Sequence, residues 1–181
     1  MIGGGDWAKF RIVPDFIRSK QDKTTLIIRN PESIRPWQYV LEPISGILWL
    51  GSQMYKIPKK FNEAWNFGPK TNEATNVNEI IQFMMKIWDD QKTSELKIDK
   101  SKKHHEAKCL GLNCTKAKNE LKWESTYTIS ETLSETILWY KNWHNEKIDM
   151  YEFTKQQIES YIQKARTLGI RWSLSDSLNS N

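Results

Sequence analysis

The sequence has 181 residues, of which 38% are hydrophobic and 27% are charged, and its formal net charge is +5 at pH 7. This length suits one domain with a substantial core, and the basic balance permits an anionic partner such as nucleic acid, an acidic membrane or a phosphorylated small molecule. Two cysteines and no signal-peptide pattern argue against a disulfide-rich secreted protein, and no apolar run approaches the length of a membrane span. We therefore expect a globular protein of the cytoplasm.

The first half of the chain alternates predicted strands with predicted helices. Pro14 stands where a first helical turn tolerates proline, so a short helix is expected to continue to Lys20. Strands are expected at 26–28, 37–40 and 65–68. A helix should run from Glu42 to about Tyr55. Its apolar face is formed by Ile44, Ile47, Leu48, Gly51 and Met54.

The second half of the chain is predicted to be mainly helical. Helices are expected to start after Asn76 and Thr128 and to cover 115–121 and 150–165. Asn76 with Glu79, and Thr128 with Glu131, have the spacing of N-terminal capping pairs. The first of these helices has an apolar stripe of Val77, Ile80, Ile81, Met84, Ile87 and Trp88. The polar segment 92–108 should be a loop, with 96–98 extended.

Separated blocks of the sequence together resemble a known family. The blocks are IGGGDWAKFRIVPD at 2–15, RNPESIRPWQYVLEPISG at 29–46, AWNFGP at 64–69, HEAKCLGLNCTKAKNELKW at 105–123 and LSETILWYKNW at 133–143. In this order they resemble the C-terminal half of the CDP-glucose 4,6-dehydratases. These are NAD-dependent lyases of the extended short-chain dehydrogenase/reductase group, the epimerase/dehydratase family that acts on nucleotide sugars.

The resemblance implies an α/β fold class, namely the helix-rich C-terminal substrate-binding part of an extended short-chain dehydrogenase/reductase, with a few short strands. In that family a Rossmann half with the NAD site and the catalytic Tyr and Lys precedes the segment that resembles residues 2–7. We expect that half to be absent here, so that the chain is a fragment that binds no cofactor itself. Residues 1–172 should form the nucleotide-sugar-binding region, and 173–181 a disordered tail.

Two Tyr-x-x-x-Lys spacings occur downstream of the place where the family has its catalytic pair. They are Tyr55 with Lys59 and Tyr151 with Lys155. In a lysine-rich chain such spacings arise by chance, so no catalytic residue is predicted. The reaction that the family implies is NAD-assisted dehydration to a 4-keto-6-deoxy sugar for surface polysaccharides, and we expect this chain alone to be inactive.

Arg11 and Arg35 are the leading candidates for holding the diphosphate of a nucleotide sugar. A guanidinium grips such a group with paired hydrogen bonds and stays charged at physiological pH. From the residues alone, each arginine could instead pair with a nearby carboxylate, Asp15 or Glu32. The resemblance favours the binding role.

Further candidates come from position in the resembling blocks. Residues that fall where related enzymes pack around the base are Ile12, Pro14, Ile28 and Arg29. Asp6 and Trp7, after the glycine run, either bind the sugar or form a turn and a core anchor. Phe10 departs from the family, which usually has an acidic residue there. The resemblance also places His105 and Glu106 at the lip of the pocket and Lys102 near the phosphates.

Other interpretations of the basic chain remain. A zinc site near Cys109 and Cys114 lacks the paired spacing that zinc requires. A nucleic-acid-binding module would use the basic stretches 100–108 and 116–122 with Trp123 or Tyr127 as a stacking platform. A noncatalytic remnant or regulatory partner is the stronger alternative. We expect a CDP-glucose-like nucleotide sugar as ligand, a separate N-terminal half or full-length homologue as partner, and neither nucleic acid nor membrane.

Overall fold

A computed structural model describes residues 1–70, 75–88, 96–99, 107–145 and 147–174. Its elements, in chain order, are α1 (Ile12–Gln21), β1 (Leu26–Ile28), β2 (Ile34–Arg35), α2 (Leu41–Lys56), α3 (Pro58–Phe61), β3 (Thr75–Asn76), α4 (Val77–Trp88), β4 (Leu96–Ile98), α5 (Thr115–Glu120), α6 (Ile129–Trp143), α7 (Met150–Thr167) and a 3-10 turn at Arg171–Ser173. The chain is therefore helix-rich with a few short strands, as predicted. None of these helices combines the length and apolar composition needed to cross a bilayer.

The described strands form two small pairs. β1 lies parallel to β4, with Leu26 opposite Leu96, which confirms both predicted segments. β2 lies antiparallel to β3, with Ile34 opposite Asn76. Pairs this short are not stable alone, so packing of helices against them must hold them in place.

The predicted strand at 37–40 is wrong. Tyr39 makes only an isolated bridge to Ile2, formed by hydrogen bonds from Ile2 N to Gln38 O and from Val40 N to Ile2 O, both 2.9 Å. The backbone then turns into α2, and Glu42 N donates to Tyr39 O at 3.0 Å. The pairing with Ile2 therefore stays a single bridge and does not extend into a strand before α2 begins at Leu41.

The main core lies where α4 packs against α6, with α1 and β1 beside them. Ile80, Ile81 and Met84 on α4 are completely buried, as are Ile137 and Tyr140 on α6. The predicted stripe of α4 is therefore its core face. Burial of this apolar surface is what stabilises the helix in the fold.

The predicted helix starts are confirmed in detail. Glu79 N donates to Asn76 Oδ1 at 2.8 Å, and Asn76 N donates to Glu79 Oε2 at 2.9 Å. Thr128 and Glu131 form the same reciprocal pair at the start of α6. Each pair satisfies backbone N–H groups that a helix leaves without partners.

The segment 65–67 alternates in burial as a strand would, but it is paired with no strand in the described ranges. The strand predicted at 65–68 is therefore not formed among the described residues. One of its backbone groups is bound by a side chain, since Gln38 Nε2 donates to Phe67 O at 3.0 Å. The Phe67 ring lies against Trp123 at 4.9 Å between centroids and covers Gly46 of α2.

The apolar face predicted for α2 is not a core face. The helix forms, but the exposed fractions are 42% for Ile44, 60% for Ile47 and 69% for Leu48. The buried residues of the helix are Glu42, Pro43, Ser45 and Gly46. Apolar periodicity predicts which face of a helix avoids water, but it does not identify the surface that covers this face.

The end of the described chain is packed. Ser173 is 7% exposed and donates through its hydroxyl to Ile170 O at 2.8 Å. Residues 175–181 of the predicted tail lie outside the described residues, so the tail stays a prediction.

Candidate functional site

The glycine run at the start of the chain forms a turn against α6. A Cβ at Gly4 would lie 2.1 Å from ring carbons of Trp139, so only glycine lets the backbone approach the indole this closely. Gly5 has φ +80°, in the left-handed region that favours glycine. Packing and turn geometry therefore explain these two glycines without a ligand.

Side chains from two helices fasten the turn that follows. Tyr140 Oη on α6 donates to Asp6 O at 2.6 Å. Arg18 on α1 donates to Trp7 O at 3.0 Å and to Ala8 O at 3.2 Å. Residues 6–8 are consequently held between the core and the first helix.

A cavity of about 580 Å³ lies between this turn, α1 and the β1–β2 region. The predicted binding residues that line it are Asp6, Arg11, Ile12, Pro14, Ile28, Arg29 and Arg35. Ligand cavities in proteins commonly have volumes of roughly 300–1,000 Å³. The structure thus brings these residues, which are separated in sequence, to one cavity of suitable size.

Arg11 and Asp6 form an ion pair at the cavity. Arg11 Nη1 lies 3.0 Å from Asp6 Oδ2, and Ala8 N donates to Asp6 Oδ1 at 3.0 Å. Partial burial acts to raise the pKa of the Asp6 carboxyl, but these hydrogen bonds outweigh it and lower the pKa. The proposed pairing of Arg11 with Asp15 is wrong, because Asp15 forms its ion pair with Arg18.

The other two arginines of the cavity are held in different ways. Arg35 Nη1 donates to Ile34 O at 2.7 Å and to Ala107 O at 2.9 Å. The Arg29 guanidinium lies 5.6 Å from the ring centroid of Phe10, in a cation–π arrangement. Backbone contacts orient Arg35, whereas Arg29 rests on an exposed ring.

The composition of the cavity suits an anion that carries an apolar or flat group. Three guanidinium groups line it, and the N-terminal turn of α1, residues 11–13, adds the positive end of a helix dipole. Ile12, Pro14 and Ile28 supply apolar surface. Such an arrangement is suited to binding and orienting a ligand.

Sequence reasoning missed several cavity residues. These are Met1, Ile2, Gly3, Val13, Asp15, Ile27, Asn30, Ser33, Trp37 and Val77, together with Phe10, which it noted only as a departure from the family. Phe10 has φ +65°, an uncommon conformation for a bulky side chain, and is 78% exposed. Its position in the sequence, between the glycine turn and Arg11, could have identified Phe10 as a residue of the cavity.

Trp7 does not line the cavity. Its ring contacts Tyr140 edge-on at 5.1 Å and Trp143 at 5.9 Å between centroids, and 39% of it is exposed. These contacts favour the interpretation of Trp7 as an anchor of the turn. The remaining candidates, Lys102, His105 and Glu106, lie outside the described residues.

Both Tyr-x-x-x-Lys spacings lie away from the cavity. Tyr55 is 90% exposed at the end of α2, and Tyr151 is 75% exposed at the start of α7. Lys155 Nζ lies 3.4 Å from a carboxylate oxygen of Glu152. Neither tyrosine therefore belongs to the lining of the cavity.

The prediction that Trp123 or Tyr127 could stack on a nucleic-acid base is wrong. Trp123 is 1% exposed and Tyr127 is 7% exposed, so neither ring is available to a base. Among the described residues no cluster of histidine, cysteine and acidic side chains could hold a metal ion. Burial raises the pKa of the Cys114 thiol, which disfavours the thiolate that zinc requires.

Comparison with characterised proteins supports the resemblance. The chain is 41% identical over 162 residues to the CDP-glucose 4,6-dehydratase of Salmonella typhimurium strain LT2. The match covers 90% of this chain and 44% of that relative, so the chain spans less than half of the relative's length. No protein-family model matches the sequence.

Solved structures share the fold at low identity. The dTDP-glucose 4,6-dehydratase of Bacillus anthracis in complex with NAD is 20% identical, with a TM-score of 0.58, over 75% of this chain and 40% of that one. The UDP-glucuronic acid 4-epimerase of Bacillus cereus is 18% identical, with a TM-score of 0.62, over 80% and 44%. A UDP-galactose 4-epimerase is 18% identical, with a TM-score of 0.56, over 75% and 41%. The predicted fold class and resemblance are confirmed.

Proposed function

We propose that this chain, a homologue of the CDP-glucose 4,6-dehydratases with the fold of part of an extended short-chain dehydrogenase/reductase, is the nucleotide-sugar-binding portion of such an enzyme. The observation that carries the proposal is the single cavity that gathers Asp6, Arg11, Arg29 and Arg35. Its ligand is a CDP-glucose-like nucleotide sugar. Lys102, His105 and Glu106 are proposed to belong to the same site.

The charges and apolar groups of the cavity support a proposed orientation for the ligand. Arg11 and Arg35 face the diphosphate, because planar guanidinium groups match phosphate oxygens with paired hydrogen bonds. The Asp6 carboxylate, held by Ala8 and Arg11, accepts a sugar hydroxyl. The base lies against the apolar side formed by Ile12, Pro14 and Ile28, next to Arg29.

In the proposed reaction this chain positions the sugar and another polypeptide performs the chemistry. The chemistry that NAD would supply, if the other polypeptide binds it, is removal of hydride from C4 and its return to C6, while the cavity residues of this chain hold the sugar for the loss of water. We propose that the NAD site and the catalytic Tyr and Lys belong to a separate N-terminal half or a full-length homologue. The chain alone is then inactive, acts in the cytoplasm and serves deoxysugar synthesis.

A noncatalytic role is the second candidate. The exposed positions of Tyr55 and Tyr151, away from the cavity, favour it. In this case the chain binds the nucleotide sugar or a homologous enzyme without any share in turnover. Mixing the chain with the N-terminal half of a relative distinguishes the two, since only the first candidate predicts NAD-dependent dehydration.

Calorimetric titration of the full chain with CDP-glucose tests the proposed ligand. Arg11→Ala and Arg35→Ala should each weaken binding about tenfold or more, because each removes a charge-assisted contact. Arg171→Ala, at an exposed arginine outside the cavity, is the matched control and should leave the affinity unchanged. Absence of binding to the unaltered chain, or equal affinities for all variants, would contradict the proposal.

A further inference from the structure

Phe10 is an aromatic residue that lies in water at the cavity. It is 78% exposed and lines the cavity beside Arg11. The nearby apolar residues Val13 and Phe16 on α1 are 2% and 0% exposed, so this part of the chain does bury its other large side chains. An exposed phenyl ring gives up the free energy that its burial would contribute. Core packing therefore does not explain Phe10.

The backbone of Phe10 has an unfavourable conformation for a bulky residue. Its φ of +65° lies in the left-handed region, where glycine and asparagine are preferred. Among the residues that the structure describes, Phe10 is the only aromatic one with a positive φ. Side chains held in such conformations concentrate at sites that contact ligands. The turn would form more easily with glycine at this position, so the phenyl ring itself needs an explanation.

The Arg29 guanidinium helps to orient this ring. It lies 5.6 Å from the ring centroid of Phe10, and both residues line the cavity. Arg29 directly follows β1, whereas Phe10 comes just before α1, so the contact joins two elements of the cavity wall. A cation and an aromatic face attract each other in this arrangement. The cavity thus has an oriented aromatic ring beside its positively charged groups.

We propose that Phe10 is a specificity-determining residue, whose ring stacks on the base of a nucleoside diphosphate in the cavity. This inference rests on the proposed function, because it names the part of the proposed ligand that the cavity selects. Arg11 and Arg35 suit a diphosphate, but guanidinium groups bind any compound with adjacent phosphates. A base adds a flat π-face, which stacks on an aromatic ring. Phe10 therefore lets the cavity select a nucleotide over a phosphorylated compound without a base.

Calorimetric titration of the full chain with cytidine 5′-diphosphate and with inorganic pyrophosphate tests this role. Phe10→Asn removes the ring, and asparagine tolerates a positive φ, so the turn should keep its shape. This variant should bind cytidine 5′-diphosphate about tenfold more weakly or worse, because it loses the stacking contact. Its affinity for pyrophosphate should be unchanged. Phe10→Tyr keeps an aromatic ring and should bind both compounds as the unaltered chain does. Tyr55→Asn, at a residue 90% exposed outside the cavity, is the matched control and should change neither affinity.

Two further measurements separate stacking from a structural role of Phe10. In proton NMR spectra, the H5 and H6 signals of cytosine should move upfield when the nucleotide binds the unaltered chain, because a stacked phenyl ring shields protons above its face. With saturated Phe10→Asn this shift should be largely lost. The Tm of Phe10→Asn should be no lower than that of the unaltered chain, since the substitution relieves an unfavourable backbone conformation.

Several outcomes would overturn the role of Phe10. Equal affinities of the unaltered chain and Phe10→Asn for cytidine 5′-diphosphate would show that the ring does not contact the base. An equal loss of affinity for the nucleotide and for pyrophosphate would show that Phe10 acts on the phosphate-binding arginines instead. If Arg11→Ala still weakens binding of both compounds, these two outcomes leave the proposed ligand in place. Failure of the unaltered chain to bind the nucleotide would contradict the proposed function and this inference together.

Discussion

Tyr140 in the last turn of α6 donates a hydrogen bond of 2.6 Å to the backbone carbonyl of Asp6 in the N-terminal turn. The tyrosine is completely buried, whereas Asp6 is partly exposed, so the bond lies at the edge of the core. Asp6 in turn holds the Arg11 guanidinium at 3.0 Å beside the cavity. The position of a proposed ligand-binding arginine therefore depends on a residue of the core.

Replacement of this phenol should affect stability and binding together. Tyr140→Phe leaves the Asp6 carbonyl without its donor, so we expect the free energy of unfolding to fall by about 1–2 kcal/mol. Affinity for CDP-glucose should weaken as the turn loosens. Urea denaturation and calorimetric titration measure the two effects. Tyr151→Phe removes a 75% exposed phenol and should change the free energy by less than about 0.5 kcal/mol; equal effects of the two substitutions would refute the coupling.

Two glycine-to-alanine substitutions should change the stability of the protein in opposite directions. Gly4→Ala places a Cβ 2.1 Å from ring carbons of Trp139, and the forced displacement should destabilise the protein by about 1–3 kcal/mol. Gly51→Ala on α2 meets no atom within 4 Å and should stabilise the helix by about 0.5–1 kcal/mol. Thermal unfolding of both variants checks the prediction. A stable Gly4→Ala protein would show that the turn does not depend on close packing.

Glu42 should make stability fall as the pH rises. Burial raises the pKa of its carboxyl above the ordinary value of 4.5, although bonds from Tyr127 N, Thr126 N and Tyr161 Oη oppose the shift. The folded state then binds the proton more tightly than the unfolded state. The stabilising contribution is complete below pH 4.5 and is lost as the pH passes the raised pKa.

Glu42→Gln removes the titrating group and should flatten this part of the pH profile. Urea denaturation from pH 4 to pH 8 gives the slope for both proteins. Gln is a close analogue of the protonated carboxyl in shape, so a general loss of stability would shift the whole curve without changing its slope. An unchanged slope would mean that Glu42 does not titrate in this range.

Glu131, in contrast to Glu42, should make stability rise as the pH rises. Its partial burial would raise the pKa, but the bonds from Lys164 and from the backbone and hydroxyl of Thr128 lower it. Its contribution is therefore present above pH 4.5 and is lost as the pH falls through the lowered pKa. Glu131→Gln should weaken stability at pH 7 more than at pH 3. The same loss at both pH values would contradict a titrating contribution.

Local chemistry explains which elements the sequence predicted well. The capping pairs Asn76 with Glu79 and Thr128 with Glu131 were predicted because their hydrogen bonds join residues only three positions apart. The apolar stripe of α4 was correct because its partner α6 lies in the same chain. Elements whose stabilising contacts lie nearby or within the chain can be read from sequence.

Elements that depend on distant surfaces could not be predicted in this way. The periodicity of α2 correctly indicated a helix, but no pattern showed that Ile47 and Leu48 would be uncovered. The segment 65–67 has the composition of a strand and lacks a partner among the described strands. The predicted binding residues of the cavity were identified from the family resemblance. Phe10 was not among them, because its place in the lining depends on a positive φ that the sequence does not reveal.

The packing of Gly4 on Trp139 also has a spectroscopic consequence. Trp139 and Trp143 stack with ring centroids 5.3 Å apart, and Trp7 lies 5.9 Å from Trp143. This indole cluster contacts the face of the turn behind Asp6, while Asp6 itself lines the cavity. A ligand that displaces the turn will change the spacing of these indoles. Such a change in spacing would alter their fluorescence, which can be recorded without an added label.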